Sequence, residues 1–185
     1  MSKYYIFDEV SPNIKAPFLD LPPEIDLIES LKGKKPDFDT LPIAIEASVD
    51  EDVVYSDIIN PGVPLFSQKV KEALENNGVD HVDYYPVVLV DEDSREILAE
   101  YWLAVIQEVI ACMDLDNSLI EENKKGHAVV TRFKIDSVKT KGINLFRFHN
   151  IPALILIDEH LKNALEKLGF VGVRFMDTDS YQRTF

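Results

Sequence analysis

A chain of 185 residues, of which 46% are hydrophobic and 10% aromatic, is long enough to bury a continuous core and has the composition of a globular protein. Its 33 acidic residues outnumber its 19 lysines and arginines, and the resulting formal net charge of -14 repels phosphate backbones and anionic lipids. Nucleic-acid binding and membrane binding are therefore disfavoured as functions, and the partner that such a surface attracts best is a basic protein.

Segments for secretion or membrane insertion are not recognisable. The first ten residues lack the apolar core and small-residue cleavage site of a signal peptide, and no apolar run is long enough to cross a bilayer. The single cysteine, Cys112, lies in the apolar run 109–113 and is expected to be a buried hydrophobe rather than a reactive thiol. We therefore expect a soluble, cytoplasmic protein.

The amino-terminal region combines one predicted strand with a proline-rich stretch. Residues 4–7 are aromatic or β-branched and predict a short strand. Five prolines between residues 11 and 41 predict an irregular segment. Its one regular element is a predicted short helix at 24–31, whose apolar face includes Ile28. Residues 41–47 then predict a second strand.

Residues 158–175 have the clearest local pattern in the chain, because they combine a helix start, a helix stop and a strand. Asp158 can cap the first turn, and Gly169 follows the helix where a left-handed residue is favoured. The apolar face of the predicted helix consists of Leu161, Leu165 and Leu168. The alternation that follows predicts a strand.

Residues 67–84 repeat this pattern without a gap. Six of the eighteen aligned positions are identical. The identical pairs are Lys71 and Lys162, Ala73 and Ala164, Leu74 and Leu165, Glu75 and Glu166, Gly78 and Gly169, and Val82 and Val173. We infer that the two helix–turn–strand units have equivalent structural roles, each laying a helix against a sheet.

The remaining apolar segments are short and predict strands. Residues 97–113 form the longest apolar stretch, which fits both a helical face and a β-branched strand, and we favour the strand. Further strands are predicted at 128–135, 145–148 and 152–157.

These elements predict an α+β protein. We expect a single domain over residues 1–185, in which the two similar helix–turn–strand units pack on a mostly antiparallel or mixed sheet. The polar tail at 176–185 is expected to be loosely held.

The residue patterns give no sign of an enzyme. The seven glycines are scattered singly, so no phosphate-binding loop is present. The histidines are too far apart in the chain for the usual metal-ligand spacings. They are His81, His127, His149 and His160. We therefore predict no catalytic residue, no metal site and no cofactor.

A series of short motifs occurs in an order that is typical of one protein family. The motifs are Pro64-Leu65-Phe66-Ser67, Tyr101-Trp102, Cys112-Met113-Asp114, Leu145-Phe146-Arg147, Asp158-Glu159-x-Leu161-Lys162 and Gly172-Val173-x-Phe175. Together, over residues 3–175, they resemble the bacterial immunity-protein family of polymorphic toxin systems, a former domain of unknown function typified by a myxobacterial immunity protein.

The resemblance implies a cytoplasmic protein that protects its own cell by binding and neutralising a cognate toxin, often one delivered by contact-dependent or type VI secretion. The shared motifs are mostly apolar or turn-forming, so no catalytic residue is implied. At Asp158 the chain departs from the serine that is more usual before the last helix, and either residue can cap a helix.

An inhibitor of this kind needs a complementary surface, and an acidic one suits a basic toxin. We expect the partner-binding residues to be exposed acids and aromatics. The candidates are Glu46, Asp50, Glu51, Asp52, Asp91, Glu92 and Asp93. The oligomeric state stays open.

Two other functions compete with this hypothesis. The first is a small-molecule-binding or enzymatic α+β domain with a pocket lined by Arg147, His149 and Trp102. The second is a structural or oligomerising module, in which the strand at residues 4–7 offers an exposed sheet edge.

Overall fold

The computed structural model describes residues 3–9, 16–48, 52–122, 124–125 and 127–181. In this part of the chain the strands form a six-stranded sheet, a five-stranded sheet and a two-stranded ribbon. The strands are β1 (Tyr4–Glu9), β2 (Phe18–Asp20), β3 (Ile43–Ser48), β4 (Ile58–Ile59), β5 (Leu65–Phe66), β6 (Val82–Asp91), β7 (Ile97–Ile106), β8 (Val109–Ile110), β9 (Leu119–Glu122), β10 (Ala128–Arg132), β11 (Leu145–Phe148), β12 (Ile155–Asp158) and β13 (Val173–Asp177). The helices are α1 (Leu27–Leu31), α2 (Gln68–Asn76) and α3 (Glu159–Glu166), and a 3-10 turn follows at Thr178–Ser180.

Both large sheets are mixed and mostly antiparallel. The six-stranded sheet has the order β2-β3-β6-β7-β5-β4, and β3 and β6 are its parallel pair within the described residues. The five-stranded sheet has the order β13-β1-β12-β11-β8, with β8 parallel to β11. The predicted α+β class is confirmed, and the long apolar stretch that we favoured as a strand forms β7 and β8.

The main apolar core joins the two sheets and the two longer helices. It contains Phe7 from β1, Phe66 from β5, Leu74 from α2 and Leu161 from α3. A second cluster fills the other face of the six-stranded sheet, around residues such as Leu89 on β6. A third cluster lies on the other face of the five-stranded sheet.

The two predicted helix–turn–strand units are confirmed. Ser67 caps α2 by accepting a hydrogen bond from the N–H of Val70 at 3.3 Å, and Asp158 caps α3 by accepting from the N–H of Leu161 at 2.7 Å. Helix α2 packs on β5 and β7 of one sheet, whereas α3 packs on β1 and β12 of the other. Each unit therefore lays its helix against a different sheet, and both helices enter the same core.

The repeat extends to side-chain contacts. Lys71 on α2 pairs with Glu75 at 2.9 Å, and Lys162 on α3 pairs with Glu166 at 2.6 Å. Both ammonium groups also lie over a tyrosine ring, that of Tyr84 for Lys71 and that of Tyr5 for Lys162, and both lysine side chains are mostly buried. The identical lysines and glutamates therefore make the same contacts in both units. In each unit the aliphatic part of the lysine covers the helix–sheet junction, and its ammonium group pairs with the glutamate one turn along the helix.

Asp57 connects the two units. Its carboxylate accepts from the hydroxyl of Ser67 at 2.6 Å and from the N–H of Val171 at 2.7 Å. Its backbone N–H donates to the carbonyl of Val171 at 2.8 Å. The start of α2 is therefore tied to the loop that follows α3, without a continuous sheet between them.

Two predictions about helix faces were wrong. Ile28 is 64% exposed, because α1 begins only at Leu27 after its cap Asp26 and is too short to form the predicted face. Leu168 is 44% exposed, because α3 ends at Glu166 and Leu168 lies beyond its last turn.

Two expectations about the chain ends also differ from the structure, the second of them over residues 176–181 only, since 182–185 lie outside the described residues. Strand β1 is not an exposed edge, because it pairs with β12 on one side and with β13 on the other. The tail is held in place as far as Tyr181: the hydroxyl of Thr178 donates to the carbonyl of Tyr4 at 3.2 Å, and the ring of Tyr181 packs against Phe133.

Candidate partner-binding surface

The described residues cover one face of the six-stranded sheet at one end only. Along β6 the side chains alternate, and those of Val82 and Tyr84 lie under α2 in or against the main core. Beyond α2 the same face continues outward through Pro86, Val88 and Val90, which are only partly buried.

The same face extends over the neighbouring strands as far as β2 at the edge of the sheet. Opposite Pro86 and Val88 on β7 are Trp102 and Glu100, and beside Val88 on β3 is Ala44. Residues paired across a ladder share a face, so the surface spans four neighbouring strands. We call it the open face, and it consists of Phe18, Asp20, Ala44, Glu46, Ser48, Pro86, Val88, Val90, Glu100 and Trp102.

Two shallow hollows lie on the open face. The larger one, which we call the Trp102 hollow, has a volume of about 460 Å³ and lies between the start of α2 and strands β6 and β7. Its lining includes Pro42, Gln68, Pro86, Val88, Glu100 and Trp102. The smaller one, the Phe18 hollow, has a volume of about 240 Å³ and is lined by Phe18, Asp20, Glu46, Ser48 and Glu92.

The indole of Trp102 is held in a fixed orientation. Its N–H donates to Oε1 of Gln68 at 2.6 Å, and the amide of Gln68 in turn donates to Glu72 at 2.6 Å. The ammonium group of Lys71 lies 4.9 Å from the ring centroid. The half-buried ring is therefore oriented before any partner arrives.

The charge of the open face is negative. Glu46 pairs with the guanidinium of Arg95, which lies in the turn after β6. Asp20, Glu92 and Glu100 are exposed and form no ion pair with any residue that the structure describes. A partner would therefore meet three carboxylates that no described cation neutralises.

The structure separates the predicted partner-binding acids. Glu46 is on the open face and Glu92 lines the Phe18 hollow, so these two lie close together. Asp93 is exposed in the neighbouring turn, and Asp52 is exposed in the loop before β4. Asp50 and Glu51 lie outside the described residues.

Asp91 has a local structural role. Its carboxylate accepts from the N–H of Ser94 at 2.6 Å and from that of Asp93 at 3.2 Å, which closes the turn between β6 and β7. The hydrogen bond from Ser94 holds the pKa of Asp91 below its usual value. Asp91 thus shapes the turn that presents Glu92 and Arg95.

Sequence reasoning missed several members of the open face. Phe18 and Asp20 lie in a segment that was expected to be irregular, and Glu100 was not singled out. The alternation of residues 43–48 is a signal that could have separated the inward from the outward side chains of β3, but the neighbours of β3 follow only from the sheet order.

The pocket predicted from Arg147, His149 and Trp102 does not form, so that prediction was wrong. Arg147 on β11 is fully buried, and its Nη1 donates to the carbonyl of Pro152 at 2.9 Å. His149 is exposed and directly follows β11, a strand of the five-stranded sheet. Trp102 lies on β7 of the six-stranded sheet.

The other groups with potential chemistry are accounted for by packing. Cys112 is fully buried as expected, and burial raises the pKa of its thiol to about 11. Within the described ranges, no set of three or more His, Cys, Asp or Glu side chains is arranged to hold a metal ion. No helix among the residues described is both long and apolar enough to span a membrane.

Comparison with known proteins identifies the family. No curated protein matches the chain. A family model described as "Immunity protein family (Imm11)" matches residues 17–180, which include the whole open face and both helix–turn–strand units. The match confirms the resemblance seen in the order of the motifs, and the chain therefore belongs to the Immunity protein family (Imm11).

Proposed function

We propose that the protein protects the cell that makes it by binding a cognate toxin in the cytoplasm and blocking the toxin's action. Membership of an immunity-protein family supports the protective role. The observation that carries the binding mechanism is the open face, a sheet surface that no described residue covers and on which aromatic and apolar side chains are interspersed with carboxylates.

The composition of the open face is that of a protein-binding surface. Aromatic side chains are enriched at interfaces and often supply most of the binding energy. Phe18 is 76% exposed and Trp102 lies in a hollow, so both rings are available to a partner. An accessible aromatic ring beside each hollow of the open face therefore supports recognition as the function.

The charge of the chain supports a basic toxin as the partner. A net charge of -14 accelerates encounter with a positively charged protein and disfavours encounter with nucleic acid. A toxin that acts on nucleic acid has this basic character. We extend the proposal to toxins that reach the cytoplasm by contact-dependent or type VI secretion.

Co-purification from the native cell tests this function. The full chain, tagged at one end, is recovered under native conditions, and the retained polypeptide is identified by mass spectrometry. A protein of similar size and net charge serves as the control for non-specific electrostatic capture. We expect one basic secreted polypeptide, whose toxic domain kills a host cell when expressed alone and spares it when this chain is co-expressed. A retained metabolite, or cell death despite co-expression, would contradict the proposal.

A further inference from the structure

We infer that the open face is the surface on which the toxin docks, through a basic segment of the toxin that also carries an apolar side chain. The apolar side chain enters the Trp102 hollow, and lysine or arginine side chains lie against Asp20, Glu92 and Glu100. This inference rests on the proposed function and adds to it the place and the chemistry of recognition.

The Trp102 hollow suits an apolar anchor. Its walls include the rings of Pro42, Pro86 and Trp102 and the side chain of Val88, and its volume of about 460 Å³ admits a large side chain. Because hydrogen bonding to Gln68 already fixes the indole, binding sacrifices little side-chain entropy there. Apolar surface removed from water in such a hollow gives a favourable free energy of association.

The carboxylates determine the sign of the partner's charge. Glu100 lines the Trp102 hollow, and Asp20 and Glu92 line the Phe18 hollow. None of the three is neutralised by a described cation. A guanidinium group in the Phe18 hollow could pair with Asp20 and stack on the exposed ring of Phe18 at the same time, a combination that favours arginine over lysine.

A second copy of this chain fits the surface poorly. Two open faces in contact would bring like charges together, because the described cations beside this surface, Arg95 and Lys71, are already paired with Glu46 and Glu75. A basic segment meets no such repulsion. The occupant that the charges favour is therefore a different, positively charged polypeptide.

The β9–β10 ribbon supplies a matched control. Glu121 and Glu122 on β9 are exposed strand residues, as are Asp20 and Glu100 on the open face. The double variants Asp20→Lys/Glu100→Lys and Glu121→Lys/Glu122→Lys each change the net charge from -14 to -10. Any effect on long-range attraction is therefore the same in both, and only the place of the charge differs.

The affinity of each double variant is measured by titration calorimetry against the toxin polypeptide recovered with the wild-type chain. We expect the open-face variant to bind about 100-fold more weakly, because charges of like sign then face each other in the interface. The ribbon variant should lose less than about 3-fold, and thermal unfolding should show that both variants remain folded. Equal affinities of the two variants would overturn the inference.

Trp102 also permits a test with a defined probe, because it is the only tryptophan in the chain. The probe is the tryptophan-free peptide acetyl-Arg-Leu-Arg-Leu-Arg-amide, and its counterpart has glutamate in place of each arginine. We expect the arginine peptide to cause a saturable change in Trp102 fluorescence in the wild type and in the ribbon variant, but not in the open-face variant. The glutamate peptide should cause none. No change in the wild type at about 1 mM arginine peptide would contradict the inference.

The outcomes separate this inference from the proposed function. If the wild-type chain retains and blocks a toxin but the open-face variant does so equally well, the function stands and the docking surface is wrong. If sedimentation shows a wild-type dimer that the open-face substitutions dissociate, the occupant is a second copy and the inference is overturned. If the wild-type chain binds no toxin at all, the proposed function itself fails.

Discussion

Asp158 shows how much a single residue can be understood from local sequence. It stands where the family resemblance predicts serine, and it accepts the N–H of Leu161 at 2.7 Å as a cap should. A cap acts within three residues of itself, so its role could be predicted before any tertiary contact was known. Ser67 behaves in the same way at the start of α2.

The cap at Asp158 makes a prediction about stability. Asp158→Ser should change the free energy of unfolding by less than about 0.5 kcal/mol, whereas Asp158→Ala should lower it by about 1 kcal/mol, because only alanine leaves the first turn without an acceptor. Urea unfolding followed by circular dichroism measures both. A serine variant as unstable as the alanine variant would show that the charge of Asp158, rather than its cap, stabilises α3.

Arg147 shows where residue-level prediction fails. Arginine is rarely buried, so an exposed place in a pocket was one of the competing hypotheses. The side chain is instead fully buried, and its Nε and Nη2 atoms have no hydrogen-bond partner among the described residues. Burial lowers the pKa of this guanidinium to about 10. Transfer of the charged guanidinium from water into the folded protein therefore costs free energy. This cost follows from the tertiary structure and could not be predicted from the sequence.

Replacing this group should relieve that penalty. We expect Arg147→Met to raise the free energy of unfolding by about 1–2 kcal/mol, because a buried charge with no counterion among the described residues is exchanged for an apolar side chain of similar length. Arg132→Met, at an exposed position on β10, is the control and should have little effect. Chemical denaturation of the two variants measures the difference. A loss of stability in Arg147→Met larger than in the control would mean that the hydrogen bond to Pro152 outweighs the cost of burial.

At the scale of elements, the two helix–turn–strand units were predictable and their surroundings were not. Caps, helix stops and alternation lie within eighteen residues in each unit. The place of β1 depends on partners far along the chain, since Tyr5 pairs with Ile157 and with Asp177. The same distance in sequence explains why β2 was missed: three residues form a strand there only because β3 lies beside them.

Asp57 links the two units through hydrogen bonds. A double-mutant cycle measures the interaction energy between Asp57 and Ser67. Asp57→Ala and Ser67→Ala should each destabilise the protein, and the double variant should be less destabilised than the sum of the two by about 1–2 kcal/mol, because both remove the same hydrogen bond. Ser67→Ala combined with Asp158→Ala is the control, and these effects should add because the two caps share no bond. Additivity in the Asp57 cycle would contradict a structural link through this carboxylate.

At the scale of the whole molecule, charge and family could be predicted but the surface could not. The net charge of -14 indicated a basic partner, and the order of the motifs indicated the immunity-protein family that the family model confirms. Predicting the open face requires the order of the strands in the six-stranded sheet and the register of four of them. Local sequence patterns do not contain this information. Of the acids on the open face, Glu46 was therefore among the binding candidates, while Asp20 and Glu100 were not.

The measurement that tests the account most directly is the stoichiometry of protection. The activity of the purified toxin is followed while the full chain is added in steps from far below to above an equimolar amount. A protein that acts by occupying a surface should remove activity in proportion to the amount added, with complete inhibition near one chain per toxin molecule and recovery of active toxin after dissociation. Lasting inactivation of many toxin molecules by each chain would contradict this account, because it would show that the protein changes the toxin chemically instead of covering it.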